Sequence, residues 1–396
     1  MLVSRIIGDC PKCGGIQKYG NVSVIGNEIL RGCLSCNYRK SVWLPEIRKK
    51  IIYLDQFFFS SAFRDQDERF VQAAEKIRYI SDLQLLVAPF SSVHEDETHQ
   101  WRGFDGKNKD DLMEFIKATS RGHEFEPAYG VERKQIIRAF KAFLNRETEA
   151  FQLLERDAVD KRIHEWDNYI RIDVAHYFKD TELIRALKKS SIESLVDIFP
   201  EWRQSTNSYD QDLALEFYQA AKTYIDSYIE YMVRIAKGDN KALLDAPIIS
   251  RVVESMLHRL LNDDVSADDG LKIVGDFFRS AHFTEIPYQS LRARIYVALK
   301  DMVKRGAYQN RFKAIQRLGG FFQDVDHINT YAPYCDAFVM DQAMTALVSD
   351  RHVDLENKYS VKIFSINNWD ELFTWLDGLE AEMSLEHRVG LSEAYP

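Results

Sequence analysis

Two short apolar runs, one near each end of the chain, are typical of buried parallel strands. The first occupies residues 50–54 and ends on Asp55, and the second lies between Asp336 and Asp341. Strands of parallel sheets are apolar on both sides because helices cover both faces of the sheet. Ligands bind in the crevice outside the carboxyl ends of such strands, so an acid at these ends predicts a metal site.

Strand and helix patterns alternate around these runs. Apolar residues recur at helical spacing through 70–80, which predicts a helix that covers the sheet. Residues 83–88 predict a second buried strand, which Pro89 stops. Residues 361–365 predict a further strand, and 370–379 an amphipathic closing helix. This order predicts right-handed parallel strand–helix units.

The middle of the chain has a different pattern. Between residues 101 and 285 successive segments repeat the helical period and strand signals are almost absent. This predicts an all-helical insertion, with aromatic stripes that are typical of a helix–helix core. The predicted division is a small domain at 1–45, the first half of an α/β domain at 46–100, the insertion at 101–285, and the second half at 286–396.

The small domain carries four of the five cysteines. Cys10, Cys13, Cys33 and Cys36 form two C-x2-C pairs separated by nineteen residues. Four thiolates give Zn2+ a closed tetrahedral shell, which predicts a structural zinc, and residues 17–30 predict the hairpin of a zinc ribbon. The alternative is a redox dithiol, which is usually a single pair that opens a helix.

Composition and charge limit the function classes. The 396 residues are 45% hydrophobic and carry a net charge of -9, which argues against a protein that coats nucleic acid non-specifically. No apolar stretch approaches the roughly 20 residues of a membrane helix, and the N-terminus does not predict a signal peptide. We therefore expect a cytoplasmic protein that does not enter the membrane. Positive charge near the ribbon could dock nucleic acid or protein, and it comes from Lys12, Lys18, Arg31, Arg39 and Lys40.

Further acids fall where the predicted sheet would bring them near Asp55. They are Glu95 or Glu97 on the helix after the second strand, and Asp324 or Asp326 on a late helix. Clustered carboxylates shift their pKa values or bind a divalent cation, although any one acid could simply cap its helix. Oxygen ligands without histidine or thiolate select Mg2+ or Mn2+, which activates water for attack on a phosphodiester.

The order of these motifs resembles the PIN-like nuclease superfamily. The matching features are the strand ending in Asp55, the strand followed by Ser91 and Glu97, the helix with Asp324-x-x-His327, and the strand bounded by Asp336 and Asp341. The resemblance covers residues 50–100 and 285–380. It implies a PIN-like, Rossmann-like parallel sheet, interrupted here by the helical insertion and preceded by the zinc ribbon. One departure is Gln56, which stands where the family often has asparagine.

The resemblance also implies an activity. It implies a metal-dependent endonuclease, most often acting on RNA, in which Asp55, Glu97, Asp324 and Asp341 hold Mg2+ or Mn2+ with Asp336 beside them. By analogy of fold alone, such a protein suits a prokaryotic toxin or a phage-defence effector. The alternatives are a DNA nuclease and a non-catalytic binding scaffold with a degenerate acidic site. Convergence of the carboxylates on one point distinguishes an enzyme from a scaffold, and the sequence leaves the oligomeric state open.

Overall fold

The computed structural model describes residues 3–148, 151–166, 181–245, 247, 249–261 and 265–396. The strands are β1 (Arg5–Gly8), β2 (Tyr19–Ile25), β3 (Glu28–Cys33), β4 (Arg39–Trp43), β5 (Lys50–Leu54), β6 (Leu86–Val87), β7 (Ala337–Val339) and β8 (Lys362–Phe364). The first four form an antiparallel sheet, and the last four form a parallel sheet in the order β6-β5-β7-β8. The expected mixture of α and β structure is confirmed.

The helices fall into three stretches of the chain. The first stretch holds α1 (Gln56–Arg64), α2 (Glu68–Asp82) and α3 (Ser92–His99). The middle stretch holds α4 (Lys109–Thr119), α5 (Ala128–Leu144), α6 (Thr181–Asp197), α7 (Phe199–Gln204), α8 (Tyr209–Ala236), α9 (Ala242–Asp245), α10 (Ser250–Leu261), α11 (Ala267–Phe278) and α12 (Ala281–Thr284). The last holds α13 (Pro287–Lys304), α14 (Arg311–Arg317), α15 (Phe321–Tyr331), α16 (Gln342–Val348), α17 (Leu355–Tyr359), α18 (Trp369–Ala381) and α19 (Leu385–Ala394).

The order of the parallel sheet places a crevice at the end of β5. The chain passes from β5 to β6 on one side and later returns to β7 on the other side of β5. The pairing of Leu54 with Val339 aligns the carboxyl ends of β5 and β7. Helices therefore leave these two neighbouring strands toward opposite sides, and this is the switch point at which open α/β sheets bind ligands.

Alternate residues of β5 feed two separate cores, as expected for a strand covered on both faces. Tyr53 packs in the core formed with α13 and α15, and Leu54 packs in the core formed with α1, α2 and α18. Both side chains are essentially inaccessible to solvent. Burial of the whole strand explains the uninterrupted apolar run in the sequence.

The middle helices contribute to more than one core. Helices α5, α8, α10 and α11 form a third core around residues such as Phe140 and Phe277. Helix α4, which the sequence places in the insertion, packs its Leu112 and Ile116 with α1 and α2 against the sheet. Parts of the predicted insertion, at 149–150, 167–180, 246, 248 and 262–264, lie outside the described residues.

The antiparallel sheet is joined to the C-terminal helix. The amide of Asn21 donates to the backbone carbonyl oxygens of Glu393 and Ala394, each over 3.0 Å. Arg31 forms an ion pair with the Glu393 carboxylate. The predicted hairpin is formed by β2 and β3, which turn at Gly26 and Asn27.

Two predicted strands are shorter than the apolar runs that suggested them. Helix α2 extends to Asp82 and Gln84 adopts a φ of 60°, so the run at 83–88 is extended only at β6. Residues Ala332–Tyr334 form a 3-10 turn, which leaves three residues for β7. Nowhere in the described ranges is a helix both long and apolar enough to cross a membrane.

Candidate metal centre at the switch point

Asp55 sits at the base of the crevice because it ends β5 and begins α1. Its backbone amide donates to the carbonyl oxygen of Val339 over 3.1 Å, which ties it to β7. Its Oδ1 accepts the backbone amide of Gln56 over 2.6 Å and so caps α1. The side chain is 5% exposed. Asp55 is therefore a fixed carboxylate at the carboxyl edge of the sheet, where the sequence predicted it.

Two helices bring a second acid and a histidine to Asp55. Glu97 comes from α3 and His327 from α15, and their Oε2 and Nε2 atoms are 3.1 Å apart. Asp55, Glu97 and His327 each offer a ligand atom, and these atoms lie within 4.8 Å of one another. Lys188 of α6 lies beside Glu97, with its Nζ 3.6 Å from Oε1. This triad can hold a metal ion.

Asp324 and Asp341 lie near the triad without belonging to it. Asp324 precedes His327 by three residues on α15, so both project from one face of that helix. Asp341 follows β7 and caps α16, where its Oδ1 accepts the amide of Met344 over 2.8 Å. The charges of both acids act on Asp55. The predicted set Asp55, Glu97, Asp324 and Asp341 thus gathers at one edge of the sheet.

The expectation that Asp336 stands beside these acids is wrong. Asp336 precedes β7, and its carboxylate accepts the backbone amide of Ile51 over 2.8 Å and pairs with Lys50 over 2.7 Å. Lys50 begins β5, so Asp336 lies at the amino edge of the parallel sheet while Asp341 lies at the carboxyl edge. Asp336 joins the start of β7 to the start of β5 and does not face the triad.

The structure also separates the alternatives that the sequence left open. Glu97, not Glu95, contacts His327, whereas the charge of Glu95 acts on Glu124. The charge of Asp324 raises the pKa of Asp55. The charge of Arg292 on α13, in contrast, acts to lower the pKa of Asp326. Asp324 and Asp326, although close in sequence on α15, therefore lie in different electrostatic environments.

Burial and mutual repulsion disfavour full ionisation of these acids. Burial, followed by the charges of Asp324, Glu97 and Asp341, raises the pKa of Asp55 well above its usual value. Burial and the charges of Glu97 and Asp341 do the same to the pKa of Asp324, against the effect of Lys188. Such a cluster gains from a cation that neutralises it.

Glu97 is the exception because it has positively charged and hydrogen-bonding neighbours. Burial alone would raise the pKa of Glu97, but His327 and Lys188 outweigh burial and hold that pKa below its usual value. Glu97 is thus an ionised carboxylate in a largely dry site, ready to serve as a ligand.

Sequence reasoning did not assign His327 or Lys188 a role in the site. The Asp-x-x-His spacing of Asp324 and His327 was a usable signal for a ligand on the same helix face. Lys188 had no such signal, because its pairing with Glu97 joins segments that are far apart in sequence.

A second group of ligands lies in the antiparallel sheet. The sulfurs of Cys10, Cys13, Cys33 and Cys36 lie within 4.8 Å of one another. Cys10 Sγ is 3.7 Å from Cys36 Sγ, and Cys13 Sγ is 3.8 Å from Cys33 Sγ. Zn–S bonds of about 2.3 Å in a tetrahedron place sulfurs about 3.8 Å apart. The four cysteines can therefore bind zinc.

One thiol of this group is already favoured as a thiolate. Burial would raise the pKa of Cys10, but the backbone amides of Cys13 and Lys12, together with the side chains of Cys33 and Cys13, lower it to about 6. Amides that face a sulfur in this way are suited to metal-bound thiolates, because they stabilise the negative charge.

Comparison with known proteins identifies no relative. No family model matches the sequence, and no curated protein or solved structure matches the chain. The PIN-like resemblance therefore stays a prediction that rests on the motifs themselves.

Proposed function

We propose that this protein is a divalent-metal-dependent endonuclease that hydrolyses phosphodiester bonds in RNA. The observation that carries the proposal is the convergence of Asp55, Glu97 and His327 to within 4.8 Å at the sheet's switch point. A non-catalytic scaffold does not require two acids and a histidine from three separate segments to meet at one point. Clustered acids with raised pKa values at the carboxyl edge of a sheet are typical of catalytic sites.

The donor set fits a divalent cation. Asp55, Glu97 and His327 would hold Mg2+ or Mn2+, and the charges of Asp324 and Asp341, which also act on Asp55, would favour the cation further. A bound cation of this kind supplies an activated water and stabilises charge that develops on the phosphate.

The residues around the ligands have their own parts in the proposed reaction. Asp324, with its raised pKa, is suited to accept a proton from water held between the acids and to return it to the leaving oxygen. Lys188 lies beside Glu97 and can pair with a substrate phosphate. Arg317 is exposed, and its charge and that of Asp341 both act on Tyr308, so Arg317 also brings positive charge into the surroundings of Asp341.

The N-terminal sheet is proposed to be a zinc ribbon that docks the substrate. Structural zinc would be held by Cys10, Cys13, Cys33 and Cys36, which already approach tetrahedral separation. The edge strand β4 presents exposed Arg39 and Lys40, and the ring of Trp43 is 76% exposed. Basic residues combined with an exposed aromatic ring suit single-stranded nucleic acid, which binds by charge and base stacking.

The proposal is tested by incubating the full-length protein with labelled single- and double-stranded RNA and DNA. Each substrate is assayed with Mn2+, with Mg2+ and with EDTA, and an Asp55→Asn protein purified identically controls for contaminating nucleases. We expect metal-dependent internal cleavage of RNA that Asp55→Asn lacks. Cleavage of DNA alone would change the substrate class. No cleavage by a folded protein that binds these nucleic acids would instead support the scaffold.

A further inference from the structure

His327 is held at both ring nitrogens inside the protein. Its ring is 1% exposed. Nε2 faces Glu97 Oε2 at 3.1 Å, and Nδ1 contacts the hydroxyl of Tyr53. A nitrogen lone pair and a carboxylate oxygen repel each other at that distance unless a proton or a cation lies between them. Whether a hydrogen or a cation lies between Nε2 and Glu97 therefore depends on which ring nitrogen of His327 carries the hydrogen.

A buried chain of hydrogen bonds leads away from Nδ1 of His327. The Tyr53 hydroxyl is 2.8 Å from Ser91 Oγ, which is 3.1 Å from Nδ1 of His94. Nε2 of His94 is in turn 2.8 Å from the carbonyl oxygen of Leu54. Tyr53, Ser91, His94 and His327 are each no more than 1% exposed, so water does not complete these contacts.

At the far end of this chain, His94, the hydrogen-bond donors and acceptors are fixed, and this gives the chain a polarity. A carbonyl oxygen can only accept, so Nε2 of His94 carries its hydrogen and donates to Leu54. Nδ1 of His94 also accepts a hydrogen bond from the backbone amide of Ser91 over 3.0 Å. In an ordinary capping box a Glu or Gln side chain accepts this hydrogen bond. His94 is therefore a neutral ring whose Nδ1 accepts, and the Ser91 hydroxyl can donate to it.

Without a cation, a hydrogen on Nε2 of His327 lies between this atom and Glu97, which is how His327 lowers the pKa of Glu97. When a cation takes that place, the two hydroxyls can carry the polarity of His94 through to His327. When Ser91 donates to His94, its oxygen accepts the Tyr53 hydroxyl, and the Tyr53 oxygen then accepts from Nδ1–H of His327. A neutral His327 with its hydrogen on Nδ1 has a free lone pair on Nε2. That lone pair points to the space shared with Asp55 and Glu97.

We propose that the Tyr53–Ser91–His94 chain holds His327 as an Nε2 ligand, so that the site takes a divalent first-row transition-metal ion such as Mn2+ in preference to Mg2+. An imidazole nitrogen binds transition-metal ions far better than it binds Mg2+, because Mg2+ strongly prefers oxygen ligands and water. Ligating histidines commonly donate their other N–H to a carboxylate, a backbone carbonyl or water, which fixes the ring and the tautomer. Here the Tyr53 oxygen would accept that hydrogen bond. The inference deepens the proposed function, because it specifies the ion that the proposed hydrolysis uses. Tyr53, Ser91 and His94 are positioning residues and do not contact the ion.

The test is pulsed EPR spectroscopy of Mn2+ added to the full-length protein, with zinc supplied beforehand to fill the cysteine cluster. We expect a hyperfine coupling from one directly bound imidazole nitrogen, and Mn2+ affinity at least about tenfold above Mg2+ affinity measured by competition. In His327→Gln the nitrogen coupling disappears and the preference for Mn2+ over Mg2+ falls toward one.

The positioning role is tested with Tyr53→Phe, which keeps the ring but removes the acceptor for Nδ1–H. We expect Mn2+ affinity to fall by about 10- to 100-fold with a smaller change for Mg2+. Tyr334→Phe is the matched control, since it removes a buried hydroxyl that contacts Gln135 over 2.8 Å outside this chain. Ser91→Ala breaks the chain at its next member and serves if Tyr53→Phe does not fold by circular dichroism.

The outcomes separate this inference from the proposed function. Bound Mn2+ without nitrogen coupling, equal Mn2+ and Mg2+ affinities, or no Mn2+ binding would each overturn the inference. If RNA is cleaved by a protein that shows no nitrogen coupling, the nuclease proposal stands and the inference fails. If nitrogen-coupled Mn2+ is bound but no nucleic acid is cleaved, the inference stands and the nuclease proposal fails.

Discussion

The backbone amide of Asp55 donates to the carbonyl oxygen of Val339 over 3.1 Å. This bond aligns the ends of β5 and β7, so that Asp55 and Asp341 leave neighbouring strands at the same edge of the sheet. Asp336, at the other end of β7, is removed from both. The position of an acid relative to its strand therefore decides whether it can take part in the metal site.

We expect Asp341→Asn to reduce metal-dependent cleavage without unfolding the protein. Asparagine is as good a helix N-cap as aspartate, so its side-chain oxygen can still accept the amide of Met344 that begins α16. Loss of the charge near Asp55 should lower the cleavage rate by about 10- to 100-fold, as for other groups around a metal. The measurement compares initial rates and thermal melting with wild type. An unchanged rate would show that Asp341 only caps its helix.

Gly320 is expected to be needed for the position of Asp324. A Cβ at Gly320 would lie 2.9 Å from Asp324 Oδ2, so Gly320→Ala must displace the carboxylate. We expect Mn2+ affinity, measured by titration, to fall by about tenfold. The free energy of unfolding should stay the same or rise by up to about 1 kcal/mol, because alanine restricts the unfolded chain.

The neighbouring glycine provides the control for that experiment. At Gly319 the nearest atom to an added Cβ is a backbone oxygen of Gln316 at 3.5 Å, which is an ordinary contact. Gly319→Ala should therefore leave Mn2+ affinity unchanged. Equal effects of the two substitutions would show that backbone stiffening, and not the contact with Asp324, is responsible.

Much of the fold around the site follows from local pattern, and the contacts within the site do not. The apolar run before Asp55 predicted β5, because a strand buried on both faces is apolar without interruption. The helical spacing through 70–80 predicted α2, because a helix buried on one face repeats its apolar residues at that spacing. The edge at which Asp336 lies was misjudged, although a three-residue strand alone spans about 10 Å. The meeting of Glu97, His327 and Lys188 depends on how α3, α15 and α6 pack together. A single sequence contains no periodicity that reports such packing.

Stability should depend on pH through Glu132, which lies outside the metal site. Burial raises the pKa of Glu132 from 4.5 to about 7, against the hydrogen bond from Tyr224. At low pH both the folded and the unfolded protein hold this proton. Between pH 4.5 and about 7 the unfolded state releases it first, so the free energy of unfolding falls, by on the order of 3 kcal/mol in total.

The variant Glu132→Gln tests this dependence, since the amide does not titrate and its oxygen can still accept from Tyr224. Urea unfolding at pH 5 and pH 8 should show that wild type loses about 2.5 kcal/mol more than Glu132→Gln over this interval. Glu230→Gln, at an exposed position of α8, should behave as wild type. Parallel pH dependences for wild type and Glu132→Gln would contradict the raised pKa.

The cysteine cluster should hold one zinc ion per chain. We expect Cys13→Ser to lose most of the zinc that elemental analysis detects, because a closed tetrahedral site needs all four sulfurs. Cys335→Ser should keep its zinc, since Cys335 is the one cysteine outside the cluster and is buried beside Tyr331. Equal zinc content in all three proteins would exclude the cluster as the zinc site.

The most direct measurement is the initial rate of Mn2+-dependent RNA cleavage by wild type, Asp55→Asn and Asp336→Asn in parallel. Both substitutions remove one carboxylate and keep an oxygen that can accept the same backbone amide, but they act at opposite edges of one sheet. We expect cleavage by wild type and by Asp336→Asn, none with EDTA, and a loss of at least about 100-fold in Asp55→Asn. Equal rates for Asp55→Asn and wild type, or cleavage that survives EDTA, would contradict a metal-dependent active site at Asp55.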